Sequence, residues 1–320
     1  MDTGSHLLFG ATLAGLAYLD PVVADHAALA HAVFWGTLVG SHAPDFDTVA
    51  RLKGYPAYIR THRGISHSVP ALFIWPLLIS ALMVLLFGLE RNGWHLYLWI
   101  WIAVVFHVLL DSFNAYGVQS LRPWKKKWVA LDVLSLFEPF LFALHAAGLI
   151  LWLAGAYKPA DIFVWVYGVT LMYIAARTVH HYVHVSFLKK AYPQSGPIHV
   201  IPTFHWFYWL FVVETEDMFY TGKIVYGQIR LINEYSKESE NPAIKATRSV
   251  DGVRSFLQFA QRVYVTCKEV QDGYVVRWSD VRFWYPQRLA FGVDVMLDKD
   301  FNIVEHRLGW RKKTWEPPYM

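Results

Sequence analysis

The chain has a single cysteine, Cys267, among its 320 residues. One thiol can form no intramolecular disulfide and excludes a cysteine-ligated zinc site. Charge is scarce as well. Asp, Glu, Lys and Arg make up 17% of the residues, against about 25% in an ordinary soluble domain. The sequence shows no internal repeat, no low-complexity tract and no nucleic-acid-binding signature. Residues 1–23 lack both a basic n-region and a small-residue cleavage site, so they read as a retained span rather than a cleaved signal peptide.

Apolar residues are abundant, at 55%, and they are gathered into runs. Runs of about 20 such residues span a bilayer. Candidate spans are residues 7–19, 27–40, 69–89, 94–113, 129–154 and 162–180, the first two short and the fifth interrupted by Glu138-Pro139. The expected fold is an α-helical polytopic membrane bundle of about six spans over residues 1–185, followed by a smaller β-rich α+β C-terminal domain over residues 186–320. In that domain, residues 224–231, 273–278, 290–297 and 303–308 alternate as strands do, and residues 249–262 read as a helix.

The net charge of +4 says less than its placement. Arg51, Lys53, Arg60 and Arg63 follow the second run, and Arg122, Lys125, Lys126 and Lys127 follow the fourth; the opposite loops offer Arg91 and Lys158. The basic side is expected to be cytoplasmic. With six spans, both termini then lie in the cytoplasm of a bacterial cell.

Histidine and aspartate cluster at the ends of the apolar runs on that same side. His107 and Asp111 are four apart and share one helix face, suited to ligating one ion or to a ligand with its orienting partner. Pro44 stops the second run, placing Asp45 and Asp47 on an extended or turning stretch beside His42. His62 and His67 flank a bend at Gly64 and Ser66, and Arg63 between them suits an anionic substrate. His6 opens the first run. Asp132 and Glu138, after the basic loop, are candidate proton-transfer groups or further ligands. Each piece has a plainer alternative: a hydrogen-bonded His–Asp pair, a cap or turn aspartate, loop arginines that set orientation. His26, His31, His95 and His145 fall elsewhere, and His180, His181 and His184 read as a juxtamembrane turn.

Together these motifs — His6, His42-Ala-Pro-Asp45-x-Asp47, His62-Arg-Gly-x-Ser-His67 and His107-x-x-x-Asp111 — resemble the YdjM-like family of bacterial inner-membrane metal-dependent hydrolases over residues 1–180. The opening Met1-Asp2-Thr3-Gly4-Ser5-His6 and the added C-terminal domain resemble its YfhP-like branch. The resemblance extends distantly to zinc-dependent phospholipase C, whose His-x-x-x-Asp pair His107 and Asp111 match. The chain departs from that enzyme in lacking an N-terminal Trp ligand and a later His-x-x-x-Glu pair, which points to one or two ions rather than three.

The resemblance implies metal-dependent phosphoester hydrolysis. Its metal ligands would come from His6, His42, Asp45, Asp47, His62, His67, His107 and Asp111, with Arg63, Asp132 and Glu138 assisting. Zn²⁺ is the expected ion, with Mn²⁺ or Fe²⁺ compatible with mixed N/O ligands. A site at headgroup depth implies a membrane lipid or lipid-linked phosphoester as substrate. The competing classes are a proton-coupled transporter, which needs these residues along a path through the bilayer, and a non-catalytic scaffold, which needs no metal.

Overall fold

The computed structural model describes residues 1–312; the last eight residues of the expected C-terminal domain lie outside the described residues. The chain divides into two compact units, residues 1–48 with 62–181, and residues 49–61 with 182–320.

The first unit is helical. It contains α1 (Thr3–Leu16), the short α2 (Pro21–Asp25) and α3 (Ala27–Gly40). In the other unit α4 (Tyr55–Thr61) follows. The first unit resumes with α5 (Ala71–Phe87), α6 (Gly93–Ser112) and α7 (Pro139–Leu153), and α8 (Pro159–Ala191) runs on into the second. Helices α1, α3, α5 and α6 pack on one another around Val33, Leu96, Ile100 and Val104, while α7 lies against α1. Small residues allow close approach of apolar helices; a Cβ at Gly36 would sit 2.6 Å from the Ile100 side chain.

Among the described residues two helices, α6 and α8, are long and apolar enough to cross a membrane, or three if the bent pair of Tyr55–His67 with α5 counts as one span. The sequence leads one to expect about six. At 14 or 15 residues, α1, α3 and α7 reach only about 21–23 Å, short of the ~30 Å hydrocarbon core. The fifth run divides at Glu138-Pro139, as proline requires: Val129 pairs with Val118 in an isolated bridge, and helix begins only at Pro139.

The second unit carries two antiparallel four-stranded sheets. The first is a meander of β1 (Ile198–Pro202), β2 (Tyr208–Glu214), β3 (Met218–Val225) and β4 (Gln228–Ser236). Next come α9 (Pro242–Thr247) and α10 (Asp251–Phe259). The second sheet is built from β5 (Val263–Val270) and β6 (Gly273–Asp280); after a small hairpin of β7 (Trp284–Tyr285) and β8 (Arg288–Leu289), it is completed by β9 (Phe291–Leu297) and β10 (Ile303–Trp310). The segment 49–61 belongs to this unit because α4 packs on α10 and β10. There Arg60 donates to Asp251 at 2.6 Å and to Ser255 at 3.1 Å. Most of the short apolar stretch Trp206–Val213 forms β2.

Candidate metal centre

Helix α6 supplies two of the four central side chains. Its run from Gly93 contains no proline, so the helix continues to Ser112, and the four-residue spacing stacks His107 and Asp111 on one buried face. Helix α3 ends at Gly40, and its last carbonyls have no partner within the helix. The Ser41 carbonyl is met by His107 Nδ1, which donates to it at 2.7 Å. Of the extended or turning stretch expected from the sequence, the fold takes the turning form, a 3₁₀ run, Ala43–Lys53, which buries Asp45. His67 closes a second 3₁₀ turn, Ile65–His67, and is fully buried.

These four residues converge. His67 Nε2 lies 3.3 Å from His107 Nε2, 3.6 Å from Asp45 Oδ1 and 3.5 Å from Asp111 Oδ2. His107 Nε2 is 3.7 Å from each of the same two oxygens. At 3.5–3.7 Å the N···O separations are too long for hydrogen bonds. They suit co-ligands instead: a tetrahedron with N and O ligands about 2.0–2.2 Å from its centre has edges of about 3.3–3.6 Å.

The hydrogen-bond network points the same way. His107 Nδ1–H is taken by Ser41. Ser66 Oγ donates to Asp47 Oδ2 at 2.5 Å and so accepts from His67 Nδ1 at 2.9 Å. Both imidazoles therefore carry their proton on Nδ1 and turn the Nε2 lone pair inward, the tautomer that metal-binding histidines adopt when an outer partner holds the other nitrogen. Asp111 anchors one oxygen, Oδ1, which accepts from Arg63 Nη2 at 3.1 Å and Asn114 Nδ2 at 3.3 Å. Its Oδ2 is buried 3.1 Å from the same Arg63 nitrogen without an aligned hydrogen bond, and Asp45 Oδ1 is buried and makes no hydrogen bond among the described residues. Two Nε2 lone pairs and two carboxylate oxygens without an aligned hydrogen bond, gathered in one buried group, fit a cation. Burial pushes the Asp45 carboxyl up, and the imidazoles of His107 and His67 pull it back below the ordinary carboxylate range.

The other candidates fall around this core. Asp45, Asp47 and His62 form a second group able to hold an ion, sharing Asp45 with the first. Asp47 accepts from His62 Nδ1 at 2.7 Å, Arg63 N at 2.9 Å and Ser66 Oγ. Burial raises its carboxyl, but the hydrogen bonds from His62 and Ser66 hold it below its usual value. His6 stacks on His107 at 3.8 Å and reaches Asp111 Oδ1 at 3.3 Å, where the Met1 nitrogen also makes contact. His42 stands edge-on to Phe46, outside both groups.

Arg63, buried in a left-handed conformation, pairs with Asp111 and donates to Asn114 Oδ1 at 3.1 Å. Glu138 accepts from the backbone and hydroxyl of Ser135 and from Tyr173, with Arg177 4.0 Å away. Asp132 is buried with a positive φ. Neither carboxylate belongs to a metal-holding group among the described residues. Neither Ser41 nor Asn114 is marked in the sequence, since a backbone carbonyl and an amide that brace ligands leave no motif. Ser66 was visible only as part of a bend.

The chain matches the model of the YdjM inner membrane protein over residues 1–183. The chain belongs to the YdjM inner membrane protein family. Within that family the rest of the chain matches the YfhP middle domain at residues 193–235 and the YfhP C-terminal alpha/beta plait domain at residues 242–316. The protein YfhP of Bacillus subtilis (strain 168) is 36% identical over 313 residues, 97% of this chain and 95% of that protein. No solved structure matches. The apolar helices and the family make this a membrane protein, and all four residues of the buried group lie within the YdjM-matched part.

Proposed function

We propose that the chain is a membrane-bound, metal-dependent hydrolase of phosphoesters, acting at the cytoplasmic face on a phospholipid or lipid-linked substrate. One observation carries the reading: two Nε2 atoms and one oxygen each of Asp45 and Asp111 stand at co-ligand distances in one buried group. Asp45, His67, His107 and Asp111 would hold the first ion. Asp47 and His62 would hold a second, with Asp45 as the shared carboxylate. Zn²⁺ fits the mixed imidazole and carboxylate set.

A divalent ion there supplies an acidified water, with a pKa lowered towards ~7, and positive charge against phosphoryl oxygens. The protein's own groups do the rest. Arg63 and Asn114 fix Asp111. Ser41 fixes His107, and the Asp47–Ser66 pair fixes His67. Position supports a membrane-surface substrate: Asp111 is in the last turn of α6, and Asp45 and His67 lie on short turns outside the apolar helices. The surplus of Lys and Arg in the loops on that side supports a cytoplasmic site.

The test is hydrolysis. Detergent-purified protein loaded with Zn²⁺ or Mn²⁺ is assayed on phosphatidylglycerol vesicles and on bis(p-nitrophenyl) phosphate. Turnover that disappears with chelator and in His107→Ala supports the reading. Turnover that is unchanged by either overturns it.

A further inference from the structure

A groove runs beside the centre. It lies between the turn at Ile65 and the first two turns of α5, with a volume of about 210 Å³, and its walls are Ile65, Pro70, Ala71, Ile74, Trp75 and Leu78. We propose that this groove is an acyl-chain subsite that seats one chain of a bilayer phospholipid whose headgroup ester lies at the metal centre. The proposal rests on the hydrolase reading for what the headgroup does there, and on the groove itself for the chain.

Four features argue for hydrocarbon. The polar atoms around the groove are already satisfied. Ser68 Oγ donates to the Ile65 carbonyl at 2.6 Å, and Trp75 Nε1 donates to the Ser66 carbonyl at 3.1 Å. An occupant is therefore asked for no hydrogen bonds, and the indole offers only its apolar face.

The inner end of the groove meets the centre. Ser66 lines it and is the residue whose hydroxyl joins Asp47 to His67. Trp75 also packs edge-on against Phe46, between Asp45 and Asp47, at 5.9 Å. One end of an amphiphile in the groove thus reaches the ligand-bearing turns.

The outer end is continuous with the exposed apolar side of α5. Phe73, Leu77, Leu82, Leu85 and Leu86 are all at least half exposed. In a membrane protein such a face meets lipid chains, so the groove opens to acyl chains along its length. Its volume is smaller than the ~300–1,000 Å³ of pockets that enclose whole drug-sized ligands, which suits a single flexible chain. Ala71 is the smallest side chain of the lining, so a larger one there would reduce the hollow.

The experiment uses full-length protein in phosphatidylglycerol vesicles doped with a phosphatidylglycerol carrying a diazirine midway along one acyl chain. After photolysis, labelled peptides are mapped by mass spectrometry, and metal content is measured on the same preparations. The expected result is labelling concentrated on Ile65–Leu78 rather than Leu82–Leu86. Ala71→Phe, which fills the hollow, should lower the groove labelling about tenfold while leaving the Leu82–Leu86 labelling and the metal content unchanged. If Ala71→Phe does not fold, Ile74→Trp serves the same purpose from the outer wall.

Even labelling along α5, groove labelling insensitive to both fillings, or cross-linking of the groove to a second copy of the chain would overturn the subsite. Metal-free protein that still labels at the groove would instead sink the hydrolase reading and leave the subsite standing.

Discussion

His67 Nε2 and His107 Nε2 face each other across 3.3 Å while each ring's Nδ1 is engaged, one with Ser66 Oγ and the other with the Ser41 carbonyl. In that tautomer neither Nε2 carries a proton to share. Their lone pairs repel unless a cation lies between, so the pair is arranged for an ion rather than for a hydrogen bond. Five separations of 3.3–3.7 Å among the same four donor atoms extend this relationship to Asp45 and Asp111.

Removing the ion should destabilise the protein. Anything that binds the folded state but not the unfolded one contributes stability by mass action, about 2.7 kcal/mol at a hundredfold excess over Kd. Melting in detergent with and without a chelator is expected to show a lower Tm for the stripped protein, recovered on adding Zn²⁺. An identical Tm in all three conditions would count against a bound ion.

Ser66→Ala should weaken metal binding without disturbing the fold. The hydroxyl ties His67 Nδ1 to Asp47, and loss of such an orienting partner typically costs 10–100-fold in metal affinity. Competition with a fluorescent zinc chelator measures it. A change below about twofold would mean that His67 is oriented by something else.

Arg63→Ala should be among the most destabilising single changes in the first unit. Arg63 and Asp111 are buried, with side chains 7% and 0% exposed, and removing one member of a buried pair costs roughly 3–5 kcal/mol. Arg63→Lys retains the charge but not the two-pronged contact with Asp111 and Asn114, so it should fall between Ala and wild type. Denaturant melts of the three proteins decide the order, and a wild-type-like Ala variant would remove Arg63 from the support of the centre.

Arg60→Ala should matter little by comparison. Its pair with Asp251 holds the segment 49–61 to α10, but the side chains are 36% and 45% exposed, and such pairs are worth about 0–1 kcal/mol. A double-mutant cycle with Asp251→Ala is expected to give a coupling within that range. A coupling of several kcal/mol would assign the docking of α4 to charge rather than to packing.

Much of the fold was legible from periodicity and punctuation. The α3 run matches the expected residues 27–40, α5 and α6 lie within two residues of expectation, and β6, β9, β10 and α10 are near their expected places. One strand was read through a turn. Residues 224–231 alternate convincingly, yet Tyr226 and Gly227 both take positive φ and reverse the chain between β3 and β4. A two-residue turn of that kind favours Asn or Asp before Gly, so Tyr-Gly gives little warning. Hydropathy runs do not show where a helix stops, so the six expected spans meet two or three helices of sufficient length and apolarity among the described residues.

In the centre, the i, i+4 pair and the His–Asp motifs mark the right neighbourhood. What spacing cannot show is which face of a carboxylate is already used. Glu138 looks as available as Asp45 in the sequence; in the fold it accepts several hydrogen bonds from neighbours. Arg63 looks like a substrate anchor, and the fold gives it to Asp111. The Arg63 contacts join residues 48 and 51 positions apart, which no local pattern records.

The most direct measurement is the metal content of the full-length protein, purified without chelator, by elemental analysis, beside His107→Ala prepared identically. The account predicts about one or two divalent ions per chain in the wild type and less than about a tenth of that in the variant. Metal-free wild-type protein, or a variant that retains the wild-type amount, would contradict it.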